Sequence, residues 1–155
     1  MINYKLDHMF SFAGQGAAGT APEALGALPE GFRVNFYLAG GEVGGPAVRG
    51  KLRPVGGDWM TVRRDGVAIV DARATIETED GALIFMTYPG MIDLGEDGFD
   101  RFQRGELAPV VQIRIAPKLS TAHAKYLWMN RLQYLGIGEY RPAMREARYD
   151  VYAVR

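Results

Sequence analysis

Two Asp-Gly pairs constrain this chain more than any other feature. Asp65-Gly66 separates one β-rich run, Asp58 to Arg64, from a second, Val67 to Glu79. Asp80-Gly81 separates that second run from a third, Ala82 to Tyr88, which Pro89-Gly90 ends. Asp-Gly between such runs suits a two-residue type I′ hairpin turn, with φ > 0 at both central positions. A link that short joins only antiparallel neighbours. The middle of the chain is therefore expected to be a three-stranded antiparallel meander.

The flanking segments read the same way. From Tyr4 to Phe12 the residues alternate, with Tyr4, Leu6, His8, Phe10 and Phe12 on one face. A period of two is a strand. A Gly/Ala/Pro-rich loop, Ala13 to Gly31, leads to a second alternating run, Phe32 to Ala39. Gly40-Gly41 and Gly44-Gly45-Pro46 read as turns before a short strand at Ala47 to Arg53. Met91 to Pro109 is acidic and irregular, with one helical turn through Phe99 to Arg104, and is long enough for a lid or binding loop. Val110 to Ile115, Arg131 to Ile137 and Arg148 to Val154 are the remaining strands; Ser120 is placed to cap a short helix through Asn130. Twenty glycines in 155 residues agree with many turns. The class expected is all-β in one domain, residues 1–155: a closed antiparallel β-barrel of about 8–10 strands, with one short helix and an internal cavity. A two-sheet sandwich is the other way to close the same strands.

Several chemistries are excluded. Lys plus Arg is 18 and Asp plus Glu is 18, so no global basic field exists to hold a nucleic acid or an anionic membrane. There is no Cys, hence no disulfide, thiolate nucleophile or Cys-ligated zinc. His8 and His123 are the two histidines, too few for a three-His metal site. Neither metal nor cofactor is expected. Ser11 and Ser120 lie outside any Gly-x-Ser-x-Gly elbow, and there is no Walker-type loop. No stretch reaches the ~18 apolar residues of a membrane helix, and the start lacks a signal-peptide apolar core, so the expected location is the cytoplasm. Gly14-Gln15-Gly16-Ala17-Ala18-Gly19 matches a dinucleotide-binding fingerprint, but Pro22 and Pro29 interrupt the segment after it and no βαβ unit surrounds it.

The residues that can carry chemistry are few. On the run after Asp65-Gly66, Val67, Ile69, Asp71, Arg73 and Thr75 share one face, and Ala68, Val70, Ala72 and Ala74 the other. Asp71 and Arg73 form either a charged cluster inside the barrel or a structural ion pair at its rim. If the lumen takes that face, the small-residue face needs a cover, which predicts a homodimer or higher homo-oligomer. Asp58, among Met60 and Val62, is a general acid or base of raised pKa, or else a turn cap. Its neighbour Trp59 shares a face with Thr61 and Arg63. Arg114 is a second candidate inward Arg. His8 is a satisfied core histidine or an acid–base group. Tyr88, Tyr126, Trp128, Tyr134, Tyr140, Tyr149 and Tyr152 are available to line a pocket.

Ordered motifs over nearly the whole chain resemble the DUF3237 family, also called UPF0311, of small bacterial barrel proteins. They are Leu6-Asp7-His8-Met9-Phe10, Gly40-Gly41-Glu42-Val43-Gly44-Gly45-Pro46 with Arg49-Gly50, and Gly56-Gly57-Asp58-Trp59. Next come Arg64-Asp65-Gly66-Val67 and the block Asp71-Ala72-Arg73-Ala74-Thr75-Ile76-Glu77-Thr78-Glu79-Asp80-Gly81-Ala82. Gln112-Ile113-Arg114-Ile115-Ala116-Pro117, Tyr126-Leu127-Trp128-Met129-Asn130-Arg131 and Val151-Tyr152-Ala153-Val154 complete the set. The resemblance implies a closed barrel with an internal cavity and no agreed activity. By motif position it implies Asp58, Arg73, Arg114, Tyr126 and Asn130 as the polar cavity set. Ala74, Gln112-Ile113 and Met129 depart from the family's usual residues; the first two bear on cavity size.

Together these readings give a small-molecule site with an anionic or phenolic ligand, and no nucleic acid or membrane partner. The expected activity is that of a cofactor-independent lyase or isomerase on a small oxygenated, aromatic-sized molecule. Asp58 or His8 moves a proton; Arg73 and Arg114 hold an oxyanion; Trp59, Tyr88, Tyr126 and Asn130 complete the binding set. A non-catalytic carrier or sensor barrel is the alternative, and a structural subunit the third. Arg73→Met is expected to cost activity more than stability.

Overall fold

The structure, a computed structural model, describes residues 1–16 and 21–155. The last part of the Gly14–Gly19 motif lies outside the described residues. Among the described residues ten strands appear in chain order: β1 Leu6–Gly16, β2 Glu23–Leu28, β3 Gly31–Gly44, β4 Gly50–Val62, β5 Val67–Thr78, β6 Leu83–Asp93, β7 Val111–Ile115, β8 Lys118–Ser120, β9 Gln133–Arg141 and β10 Glu146–Val154. The helix α1 (Gly98–Gln103) and the 3₁₀ segments Ala124–Arg131 and Pro142–Met144 lie between them. The strands run β1-β10-β9-β7-β6-β5-β4-β3, and β3 pairs back onto β1. That closes an eight-stranded antiparallel barrel, and the sandwich alternative falls. β2 extends from β3 and β8 from β6, outside the ring.

Asp65-Gly66 and Asp80-Gly81 both join antiparallel neighbours, but the turn type differs from expectation. Arg63 N–H donates to Val67 O and Gly66 N–H to Arg63 O, at 2.9 and 3.1 Å. Thr78 N–H to Ala82 O and Gly81 N–H to Thr78 O repeat the pattern, both at 2.9 Å. Positive φ occurs at Gly66 (81°) and Gly81 (83°), not at the Asp before each. These are three-residue loops, a type I turn followed by a left-handed glycine, and they twist the hairpin equally well.

Three other local readings change. Gly40-Gly41 is no turn: β3 runs straight through it. A Cβ at Gly41 would collide with the Ala13 carbonyl oxygen of β1, so glycine there permits the strand contact that closes the barrel. Ala47–Arg53 and Asp58–Arg64 are not separate strands. They merge into β4, whose register against β5 slips between Leu52 and Gly56, around Pro54, which has no N–H to give. Ser120 caps nothing; it belongs to β8, and the 3₁₀ segment begins after His123.

The face of β5 that enters the barrel is Ala68, Val70, Ala72, Ala74 and Ile76, each at most 2% exposed. Asp71 and Arg73 point outward. Burying small aliphatic side chains and leaving the charged pair in water avoids two desolvation costs. The Ala-rich face is covered by the lumen itself, so it does not require a second copy.

The two hairpin turns mark opposite ends of the barrel. Near Asp80-Gly81 the interior is packed solid by Phe10, Ile76, Ile84, Met86, Tyr134 and Val151, with Tyr126 and Met129 of the 3₁₀ segment as the plug. Near Asp65-Gly66, α1 lies over the end: Leu94 N–H donates to Gly66 O at 3.0 Å and the Arg64 guanidinium sits 5.3 Å from the Phe99 ring centre. Among the described residues no helix is long and apolar enough to cross a membrane.

Candidate functional site

Below α1 the barrel is hollow. The cavity has a volume of about 140 Å³ and is lined by aromatic and aliphatic side chains, among them Phe12, Phe36, Met60, Phe102, Leu107 and Ile113. Register explains why space remains there. Phe36 of β3, Asp58 of β4, Ala72 of β5 and Tyr88 of β6 form one cross-strand row. The small Ala72 stands between Asp58 and Tyr88 in that row, two strand spacings or roughly 10 Å across, and the Asp58 charge still acts on the Tyr88 hydroxyl. A second row holds Phe12 of β1, Tyr149 of β10, Gly138 of β9 and Ile113 of β7. A Cβ at Gly138 would run into the Tyr149 ring, so this glycine gives the ring its place. Phe12 stacks on Tyr149 at 4.7 Å between ring centres, and Tyr88 meets both rings edge-on at 5.9 Å.

Asp58 is the chemically distinctive group. Its Oδ1 accepts the Asp71 backbone N–H at 2.9 Å. The β4–β5 pairing passes from Asp58↔Ala72 to Thr61↔Ile69 in unchanged register, and the carboxylate serves as acceptor in the gap. Asp58 is half-buried by area, because the cavity reaches it, yet protein surrounds it on nearly every side. That surrounding decides its ionisation. Burial raises its pKa to about 6; the Asp71 N–H bond and the Arg33 charge oppose the rise, and the Asp71 charge adds to it. Burial also pushes the Tyr88 and Tyr149 hydroxyls well above the usual phenol range, with the Asp58 charge contributing to both. The tyrosines therefore stay protonated as donors. One carboxyl near neutrality and two phenols meet in an aromatic cavity, an arrangement suited to moving a proton and stabilising an oxyanion.

Of the residues expected at the site, Asp58 and Tyr88 are in the cavity and six are not. Arg73 is outside, 3.2 Å from Asp71 Oδ1 and 5.3 Å from the centre of the Trp59 ring. Trp59 is on the same outer surface, its carbonyl accepting from Arg33 at 2.7 Å. Arg114 is exposed on β7 and donates to Ile113 O at 2.8 Å. Both arginines lie on strands whose apolar alternates fill the core, which leaves them the outer face. His8 is turned out by a β-bulge between His8 and Phe10, which places Phe10 and Phe12 inside. There its Nε2 lies 3.1 Å from Ser11 Oγ, which donates to Asp150 at 2.6 Å. Tyr126 is buried but donates to the Asp80 carboxylate at 3.0 Å, tying the plug to the lower hairpin. Asn130 bonds Thr121 N–H and O at 2.9 and 2.8 Å, fixing the turn after β8.

Arg73→Met is accordingly expected to leave ligand affinity unchanged within about twofold and to shift stability by less than about 1 kcal/mol, as for exposed ion pairs. Titration calorimetry and thermal melts of the variant check this. A large loss of affinity with an intact fold would return Arg73 to the site.

Phe12 and Arg145 also line the cavity, and sequence reasoning assigns neither to the site; Tyr149, beside them, is there only one aromatic among seven. The signal for Tyr149 is Leu135-Gly136-Ile137-Gly138: alternating glycines in a strand mark places where a neighbouring side chain needs room. Arg145 comes after a 3₁₀ turn and carries no such signal.

Known proteins agree with this architecture. The profile of the family described as "Protein of unknown function (DUF3237)" matches residues 4–154. A UPF0311 protein of Rhodopseudomonas palustris is 28% identical over 133 residues, 84% of this chain and 86% of that protein. A β-barrel-like protein from Acinetobacter baumannii has a TM-score of 0.83 at 24% identity, covering 100% of this chain and 98% of the other. A crystal structure described as an enzyme from Penicillium herquei matches with a TM-score of 0.69 at 20% identity, covering 100% and 97%. At such identities the structural likeness speaks to fold. With its profile match spanning almost the whole barrel, the chain belongs to the DUF3237 family.

Proposed function

We propose that the protein is a cofactor-independent lyase or isomerase acting on a small, ring-sized molecule that carries a carbonyl or phenolic oxygen. The observation that carries this reading is Asp58, a carboxyl of pKa about 6 facing the cavity that also holds Tyr88 and Tyr149. The Asp58 carboxylate takes a proton from the carbon next to the substrate carbonyl. The electron pair moves onto the oxygen, where the two phenols donate to the developing enolate. Where a C=C adjoins that carbon, protonated Asp58 returns the proton at the far end of the dienolate, giving an isomer; where a leaving group sits on the β-carbon, the enolate expels it and Asp58 gives it the proton, leaving a new C=C, the outcome of a lyase. His8, Arg73 and Arg114 take no part. The Penicillium herquei enzyme has the same fold, so the barrel is compatible with catalysis. A carrier is favoured by one feature, the mostly apolar lining, which binds a ring without chemistry.

Deuterium wash-in separates the two. Small cyclic ketones incubated in D₂O with the protein are expected to exchange their α-hydrogens, followed by NMR. The rate should rise about tenfold per pH unit below pH 6 and level off above it, because the base is the ionised form. Tyr88→Phe and Tyr149→Phe should each lower it roughly 10- to 10³-fold without unfolding the barrel. Exchange no faster than in buffer, or indifferent to both tyrosines, leaves the carrier reading.

A further inference from the structure

We infer that the cavity isomerises single-ring β,γ-unsaturated ketones, with Asp58 alone carrying the proton from the α-carbon to the γ-carbon on one face of the ring. This rests on the acid–base reading of the site, chooses isomerase over lyase within it, and names the substrate class. Two features of the cavity select it: its proton carriers and its size.

Asp58 is the one carboxylate among the described residues lining the cavity, and no histidine or lysine joins it there. The four remaining residues of the chain, Ala17-Ala18-Gly19-Thr20, include no group that titrates near neutrality. Tyr88 and Tyr149 are no substitute for a second carrier. Burial holds their hydroxyls above the usual phenol range, so either would be left as a buried anion after giving up its proton. Epimerisation across a planar enolate needs a group on each face of it, and one carrier cannot supply both. A proton returned to the face it left is another matter. The α- and γ-carbons are two bonds apart on one ring, so a single carboxylate serves both without the ring turning over.

The polar atoms suit that task. Asp58 Oδ1 accepts the Asp71 N–H, whereas Oδ2 has no partner among the described residues. Tyr88 and Tyr149 are 8% and 7% exposed, yet neither hydroxyl donates to another described residue. A substrate carbonyl oxygen supplies the acceptor that both lack. The step balances without a co-reactant. The α C–H bond breaks, its proton passes to Asp58, and its electron pair joins the ring as the carbonyl π pair moves onto oxygen. The pairs then shift back: C=O re-forms, the C=C comes to rest between the α- and β-carbons, and the pair of the old C=C takes the proton from Asp58 at the γ-carbon.

Size separates the two branches. A cavity of about 140 Å³ is close to the ~150 Å³ that accepts benzene, so one six-membered ring with its oxygen fills it. Elimination makes a second product that needs room beside the ring. Isomerisation makes none and leaves the volume of the ring unchanged.

The test uses cyclohex-3-enone carrying deuterium at C2, in H₂O at pH 7.5, followed by NMR. The protein is expected to convert it to cyclohex-2-enone faster than buffer does, with deuterium from C2 appearing at C4. Asp58→Asn should lower the rate roughly 10²- to 10⁴-fold. Asparagine keeps the acceptor for Asp71 N–H, so the variant should fold; circular dichroism verifies it. The elimination probe, 3-acetoxycyclohexanone, should lose acetate no faster than in buffer. No isomerisation, a product without label at C4, or accelerated loss of acetate overturns the inference. Cyclohexanone in D₂O separates this from the acid–base reading. Exchange of its α-hydrogens that depends on Asp58, with cyclohex-3-enone left unchanged, keeps that reading and overturns the isomerase. Neither exchange nor isomerisation overturns both.

Discussion

Asp58→Asn is expected to make the protein more stable and catalytically inert at once. Asparagine keeps the acceptor that holds the Asp71 N–H and removes the charge. Below pH 3.8 the carboxyl is protonated in folded and unfolded chains alike and contributes nothing to the difference. Between 3.8 and about 6 the unfolded chain ionises freely while the folded one keeps its proton, so folding loses stability as pH rises. Above 6 the loss is complete and constant. A shift of about two units corresponds to roughly 3 kcal/mol. For a chain of this size that is a gain of roughly 6–10 °C in Tm for the variant at pH 7.5, shrinking to nothing near pH 3.5. Over the same comparison the exchange rate should fall roughly 10²- to 10⁴-fold. Melting curves across this pH range decide it: a gain that is absent, or the same at every pH, would mean Asp58 is not desolvated in the folded state.

The second large effect lies far from the chemistry. Gly41→Ala is expected to destabilise the barrel by roughly 3–5 kcal/mol, because the added methyl meets a backbone carbonyl and not a movable side chain. Gly81→Ala is the control. Its φ is 83°, yet nothing lies within 4 Å of the added atom, so only the left-handed strain of about 1 kcal/mol applies. Denaturant titration of the pair measures the difference. Equal losses would show that the β1–β3 seam yields at little cost.

The barrel was legible because its signals are local. Asp-Gly punctuation and two-residue alternation sit within a few residues of one another, and they located the meander from Asp58 to Tyr88 correctly. Which face of a strand turns inward is not local. On β5 both faces begin apolar, and the choice is made by the whole ring: Ala72 and Ala74 fit opposite the bulky Tyr88 and Met86, where Arg73 would not. On β1 a single bulge reversed the expected partners of His8. Asp58 was legible because a carboxylate flanked by Met60 and Val62 is unusual under either choice of face. Tyr126 and Asn130 share a polar look with site residues, and only their partners, Asp80 and Thr121, reveal that they lock the plug in place. The cavity tyrosine of β10 left a trace in the alternating glycines of β9, but its stacking partner Phe12 comes from a strand distant in sequence.

The seam between β1 and β10 has a consequence for how the chain reaches this state. Ser11 and Asp150, partners across it, are 139 residues apart. Until β10 is made, β1 has one neighbour in the ring and β9 has an open edge toward the same gap. Closure therefore waits for β10 and demands a long chain loop, which slows folding. In the interval two unpaired strand edges face solvent, and a nascent chain is most exposed to aggregation then. The completed ring removes both edges in one step, and the strand that completes it also delivers Tyr149 to the cavity.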